Sequence, residues 1–499
     1  MVFKICLVCC EFEERGLLWK EKRGETRGEK NHEGAAMPVQ SQVQGEWAPT
    51  APRAMIRGSD GLKDEEINVY SLMNMLHSMD EFQGEGPIHR EDKKCSGEQH
   101  STKHLRRSFL DAICYLCDIN RKGGTVTAAG LRQYYLRPGS RRPRNEEIGA
   151  VLYLAANETM LPEVCSFVKR VLRDLNDVTP DNREEKETRI LRQALELAGQ
   201  RMESYHTKMR SHLAECKRDM DVIFKDHEVL TWIREIEGET DTYRLSTLCY
   251  DGCERELEEV KSKAIGNVPM AQVAHYIGRL GAHRYAVSMI ITACIQVPVL
   301  RRIVRAVFLP SADARPVILP PEAANFYKTC KLICKNECLP PHQGQSLNIH
   351  LCSIDIAEDY ALSNKFEQLK DVITRVHAEL LIVDFFSRKK LEFVDNDKYV
   401  GCSKPACYFC HKWISLHPDG YETPAAHNKV ILGCRGPDVD AGEDRMGNGA
   451  RVRRSQYIRL GRKIIRDINH QVDIRPGVGL PRHQSSNGST RAPSTVSRL

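Results

Sequence analysis

Between His377 and Cys410 the chain carries His377-Ala378-Glu379 and then Gly401-Cys402-Ser403-Lys404-Pro405-Ala406-Cys407-Tyr408-Phe409-Cys410. One imidazole and two thiols spaced Cys-x-x-Cys are donors that zinc favours. Three protein ligands leave one of its four positions to water, as a catalytic site requires. Glu379 stands two residues beyond His377. It is placed to reach that water without binding the ion, and so to carry a proton from water to a leaving group. Pro405 predicts a helix start, which puts Cys407 and Cys410 in a first turn where free backbone N–H groups and the helix dipole favour thiolates. Ser403 has two readings of equal weight, a substrate contact or a helix cap. Cys402, at the end of an expected short strand, reads as packed rather than ligating, and Tyr408 and Phe409 read as core. The inactive version of this site is a closed zinc knot, with a fourth ligand drawn from Cys402, His411 or His417. That version gives Glu379 no role, so catalysis is the favoured reading.

A His-x-Glu followed by a Pro and a Cys-x-x-Cys is the signature of zinc nucleobase deaminases. The stretch resembles the cytidine-deaminase-like superfamily, and within it a little-characterised fungal branch akin to deaminase domains of bacterial toxins. The residues that carry the likeness are His377-Ala378-Glu379, Gly401 to Cys410, and His427-Asn428-Lys429. It covers roughly residues 320 to 440. The resemblance implies an α/β/α three-layer domain with a mixed sheet of about five strands. It also implies zinc on His377, Cys407 and Cys410, Glu379 as proton shuttle, and a nucleotide or single-stranded nucleic acid as substrate. Two departures stand out: Pro405 precedes Cys407 by two residues instead of one, and Ile431 to Pro437 lacks the Trp that the branch tends to carry.

The elements that must position these residues follow from local pattern. A helix is expected over Asp371–Phe386, a short strand over Tyr399–Cys402, a helix over Pro405–Leu416 and a further strand at Val430–Leu432, a sheet covered by helices. Ser346 to Ile354 alternates apolar and polar residues and predicts a strand. Upstream, Leu105, Phe109, Ile113 and Leu116 share one stripe of a helix over His104–Asn120, with Cys114 and Cys117 in its core face. Val126–Arg132 predicts a short helix. Met202, Tyr205, Met209, Leu213, Cys216, Met220 and Ile223 recur at spacings of three and four and mark a long helix packed on its own domain. Tyr285 to Leu300 is too short and too interrupted to span a membrane and reads as a buried helix. Cys330, Cys334 and Cys338 with His342 have a spacing that zinc sites rarely use on a helix, so no second metal site is expected there.

The 499 residues, 41% hydrophobic and 28% charged, are too many for one core. The expected division is a disordered leader over 1–60, a mainly α region of unknown purpose over 61–314, a zinc deaminase-like domain over 315–440 and a basic, largely disordered tail over 441–499. Cys6, Cys9 and Cys10 in the leader read as unpaired thiols. Nineteen cysteines without a secretory segment argue against a disulfide framework and for the cytosol or nucleus. Net charge is +6, yet from Arg445 onward there are twelve Lys/Arg against two Asp/Glu, so the other 444 residues sum to −4. Such a tail attracts nucleic acid or nuclear import receptors. Three function classes remain: a zinc nucleobase deaminase, a catalytically silent zinc-stabilised protein that binds protein partners through its helical half, and, least favoured, a zinc hydrolase of a non-base amide.

Overall fold

The computed structural model describes residues 64–79, 101–120, 123–135, 148–225, 228–334, 341–369, 371–438 and 448–474. The expected leader, Cys338 and the last 25 residues lie outside this set. Helices dominate, with two mixed sheets among the described residues.

Helices α1 (Asp64–Ser78) and α2 (Thr102–Cys117) come first. The stripe of α2 is as expected: Leu105, Phe109, Ile113 and Leu116 are all buried, as are Cys114 and Cys117. Next comes a strand, β1 (Thr127–Tyr135), where a helix was expected over Val126–Arg132. It pairs antiparallel with β2 (Ile148–Ala156), in register from Thr127 opposite Ala156 to Tyr135 opposite Ile148. The physical reason for the misreading is burial on both faces. Ala129, Leu131, Ala150, Leu152 and Leu154 point into one core, while Ala128, Val151, Tyr153 and Ala155 point into another. A strand apolar on both sides loses the alternation that marks a strand.

The first of these cores belongs to the helical half. It is built from α3 (Pro162–Asn176), α4 (Arg183–Leu197), α5 (Gly199–Ile223), α6 (Glu228–Gly238), α7 (Thr242–Asp251), α8 (Glu256–Lys263), α9 (Val268–Gln296) and the single turn α10 (Pro298–Arg301). On α5 the stripe from Met202 to Met220 is buried, whereas Ile223, at the helix end, is 42% exposed. The apolar run expected as one buried helix over Tyr285–Leu300 is divided at Val297, with its first part closing α9 and Leu300 in α10; the long buried face of α9 packs against α2, α5 and α7. No described helix is long and apolar enough to cross a membrane.

The chain then returns to the sheet with β3 (Ile303–Phe308), parallel to β2, and adds β4 (Arg315–Ile318) to a second sheet. Helices α11 (Phe326–Cys334), α12 (Pro341–Ala357) and α13 (Ala361–Gln368) follow. The strand expected over Ser346–Ile354 is thus part of a helix. Leu347 and Leu351 are buried while Ile349 is 61% exposed, so burial follows a spacing of four and the alternation was coincidental. The single helix expected over Asp371–Phe386 is β5 (Asp371–Val376), then His377, then α14 (Ala378–Lys389). Val372, Ile373, Thr374 and Val376 are β-branched, which favours the strand.

After α14 come β6 (Gly401–Cys402), α15 (Tyr408–Ser415), β7 (Cys434–Arg435) and α16 (Asn448–Ile474). The first sheet runs β3-β2-β1-β6, the second β4-β5-β7. The first thus takes three strands from residues 127–308 and one from 401–402. Within the segment expected to be largely disordered, α16 is a folded helix on which Tyr457, Leu460, Ile464 and Ile465 are buried.

Two glycines record how tightly the layers meet. A Cβ on Gly130 would lie 2.9 Å from Ile382 and 3.0 Å from Phe386, so α14 rests directly on β1. A Cβ on Gly401 would lie 2.5 Å from that of Leu110, so α2 presses on β6. Because the clash involves the backbone of α2 as well, Gly401→Ala is expected to destabilise the protein by about 1–3 kcal/mol, read as a lowered thermal midpoint.

Candidate metal and active site

His377 leaves the end of β5 and is the residue just before the first turn of α14. Its carbonyl accepts the N–H groups of Leu380 at 3.0 Å and Leu381 at 3.2 Å. The Ala378 N–H donates to Asn157 Oδ1 at 2.8 Å, so a side chain from the end of β2 caps the helix that carries the site. Glu379 falls in the first turn and is 4% exposed.

Cys407 occupies the matching position before α15, and Cys410 lies in its first turn. Pro405 therefore sits two residues ahead of the cap instead of at the first helical position. The approach to α15 is clamped from the downstream segment. The Ala406 N–H donates to the Ala425 carbonyl at 2.8 Å, the His427 N–H to the Ala406 carbonyl at 3.0 Å, and the Tyr408 N–H to the Lys429 carbonyl at 3.0 Å. His427 Nδ1 accepts the Lys429 N–H at 3.0 Å. The His-Asn-Lys run thus grips the start of the thiol-bearing helix.

These elements bring His377, Cys407, Cys410 and Cys434 together, with one donor atom from each within 4.8 Å of all the others. His377 Nδ1 is 3.6 Å from Cys407 Sγ and 3.4 Å from Cys410 Sγ, and Cys410 Sγ is 3.5 Å from Cys434 Sγ. Bonds of about 2.3 Å to sulfur and about 2.0 Å to nitrogen give tetrahedron edges of roughly 3.5–3.8 Å. The spacing of the donors fits one tetrahedral ion. A group of three thiols and one imidazole could hold a metal, and its chemistry suits a soft divalent cation.

Cys434 is the member that spacing missed. It stands on a two-residue strand whose parallel register with β5 sets Cys434 beside Arg375 and Arg435 beside Val376, next to the strand end that delivers His377. The signal was its chemistry alone: a further Cys within the same short segment completes a Cys3His set. The three candidates considered for a fourth ligand lie outside the cluster. The Cys402 amide donates to Asp111 Oδ1 at 3.2 Å. His411 is buried on α15, and His417 Nδ1 accepts the Asp419 N–H at 3.3 Å.

Hydrogen bonds with Cys410 and Cys434, and the His377 imidazole nearby, hold the Cys407 thiol well below its ordinary pKa. Burial pushes Cys410 well up and Cys434 up to about 12. Burial also raises the Glu379 carboxyl, against the opposing pull of His377. Among the described residues Glu379 Oε2 has no hydrogen-bond partner. A buried carboxylate oxygen left without a donor is costly, and such atoms are concentrated where a ligand or proton is handled.

Ser403 does not cap α15. Its hydroxyl accepts the Thr127 N–H at 3.1 Å and donates to Asp118 Oδ2 at 3.2 Å. Tyr408 and Phe409 are fully buried, with Tyr408 donating to Asp467 Oδ2 at 2.7 Å and Phe409 stacked on Trp413. Cys330 and Cys334 fall on α11 and join no metal-holding group among the described residues.

Residues 376–438 match a family model described as an OTT_1508-like deaminase. That segment contains all four donors and Glu379, and the match supports a deaminase relationship for this part of the chain. No curated protein matches the chain. No solved structure matches it either.

Proposed function

We propose that this protein is a zinc-dependent hydrolytic deaminase of a nucleobase, cytosine or adenine, presented in a nucleotide or in single-stranded nucleic acid. The observation that carries this reading is the unpaired, buried Oε2 of Glu379 two residues from a histidine of the group that could hold a metal. A zinc ion held there would supply the Lewis acidity that makes water nucleophilic toward the amine-bearing ring carbon. His377 Nδ1 and the Cys407 and Cys410 sulfurs would hold it. Glu379 would accept a proton at Oε2 and return it to the departing amine. A carboxyl raised by burial holds its proton nearer to neutral pH, as that exchange needs. Ser403, committed to Thr127 and Asp118, would line the substrate side through its backbone and shape. Helices against both faces of the β3-β2-β1-β6 sheet support the three-layer α/β/α arrangement.

Purified protein should contain about one zinc per chain, as four donors imply. It should also release ammonia from one class among nucleosides, nucleotides, single-stranded DNA and single-stranded RNA. Zinc with no ammonia from any of them would remove the catalytic reading.

The fourth donor, Cys434, favours a second reading. With all four positions filled by protein, the ion could serve stability alone, in a silent protein whose helical half binds partners. Then Glu379 would be dispensable.

For the substrate class, the support is the exposed side of α16, where Arg459, Arg462 and Arg466 stand along one line. Its buried side belongs to the core, so the charge must be tested by substitution and not by truncation. In the double variant Arg462→Gln/Arg466→Gln, binding of single-stranded nucleic acid should weaken and the slope of log affinity against log salt should shrink by about 0.7 for each lost phosphate contact. A slope unchanged from the parent protein would point to a free nucleotide. The fourteen described cysteines are all free thiols, which supports a cytoplasmic or nuclear setting.

A further inference from the structure

We infer that the helical half is the outer support of the metal site, acting through a buried path from Arg201 to Asp118 to the loop that carries Cys407; the inference rests on reading the four-donor group as a zinc site. Asp118 follows α2 directly and is wholly buried. Its Oδ1 accepts the Thr125 hydroxyl at 2.7 Å and its Oδ2 the Ser403 hydroxyl at 3.2 Å, with Lys404 Nζ 3.7 Å away. From the other side, Arg201 of α5 donates to the Asp118 carbonyl, and its Nε donates to the Tyr205 hydroxyl at 2.9 Å. The guanidinium lies 4.9 Å from the centre of the Tyr115 ring and is 3% exposed.

A guanidinium buried to this degree is tolerated only beside a counter-charge with its hydrogen bonds made. Arg201 meets Asp118 at its backbone carbonyl, beside the Tyr115 ring and the Tyr205 hydroxyl, while the Asp118 carboxylate faces Thr125, Ser403 and Lys404. Asp118 is therefore held from the helical half through its main chain, and holds the edge of the site through its side chain.

The loop has little slack with which to absorb a shift at Asp118. The Ser403 N–H donates to the Thr127 carbonyl at 2.9 Å, the Thr127 N–H returns to the Ser403 hydroxyl, and four residues later Cys407 presents its sulfur. A displacement of Ser403 passes to that sulfur, and metal donors tolerate errors of only about 0.5 Å. Asp118 and Arg201 are thus positioning residues for the metal and touch neither it nor a substrate.

Asp118→Asn, Arg201→Met and their double variant, made in the full chain, test the path by zinc affinity in competition with a chromogenic chelator and by the ligand-field spectrum of the cobalt(II) form. Each single change should weaken zinc by about 10–100-fold and alter the cobalt spectrum. The double should be no weaker than the worse single, because the two act through one path. Val287→Ala, in the buried face of α9, should lower the thermal midpoint and leave zinc affinity unchanged. Thr125→Val, which keeps both charges and removes one hydroxyl on Asp118, covers the case in which a charge variant does not fold, and several-fold weaker zinc is expected from it. Unchanged affinity in the variants, or an equal loss in Val287→Ala, would overturn the inference while the zinc site stands. A parent protein that binds no zinc would overturn the site itself.

Discussion

Cys434→Ser is expected to keep the protein folded, weaken its hold on zinc and raise ammonia release. Four-ligand zinc sites bind with about 10–16 kcal/mol, so one ligand is worth roughly 3 kcal/mol and its loss about two orders of magnitude in affinity. Measured with zinc in excess, the variant should still carry the ion, now on His377, Cys407 and Cys410. Its cobalt(II) form should lose about one third of the thiolate-to-metal absorbance, as three thiolates become two. The vacated coordination position is what a hydrolytic site needs. If instead the loaded variant releases less ammonia than the parent, or unfolds while still saturated with zinc, Cys434 is a permanent structural ligand and the silent-scaffold reading gains.

Glu379→Gln should do the opposite: leave zinc alone and abolish turnover. Gln has the shape of Glu but cannot take a proton from water and hand it to an amine. The loss of a general acid/base costs about 10²–10⁴ in rate, or about 3–5 kcal/mol of barrier. Stability should not fall, because the change removes a carboxyl that burial already disfavours in its charged form. Ammonia assays and zinc content on the same sample separate the outcomes. Ammonia release within two-fold of the parent would strip Glu379 of its role.

His377 and the Cys-x-x-Cys, which the fold brings into one group, were legible because each lies at a helix start, which fixes where a residue and its third neighbour point. Cys434 was not, since 24 residues separate it from Cys410 and its place depends on a two-residue strand finding the register of β5. The stripes of α2 and α5 were legible because each buries a single face. The β1 and β2 strands were not, being apolar on both sides and rich in Ala, a residue that suits helices better than strands. Ser346 to Ile354 shows the converse error, a chance alternation inside a helix. Asp118 gave no sign at all, because what makes it notable is Arg201 across a layer boundary.

The hydrogen bond from Ala378 to Asn157 joins residues 221 apart in the chain. At about 5–20 residues per second of synthesis, about 10–40 s pass between the appearance of one partner and the other. During that interval β1 and β2 exist without β6 beside them and without α14 on the face that holds Ala128, Val151 and Tyr153. The helical half, which forms meanwhile, covers the opposite face through Ala129, Leu152 and Leu154. The nascent chain therefore carries a half-dressed sheet for tens of seconds, with one apolar face and one strand edge open to chaperones or to another copy. A fragment cut at residue 315 would begin with neither that sheet nor the Asn157 cap, and should be produced as an insoluble chain unless residues 101–308 are supplied with it.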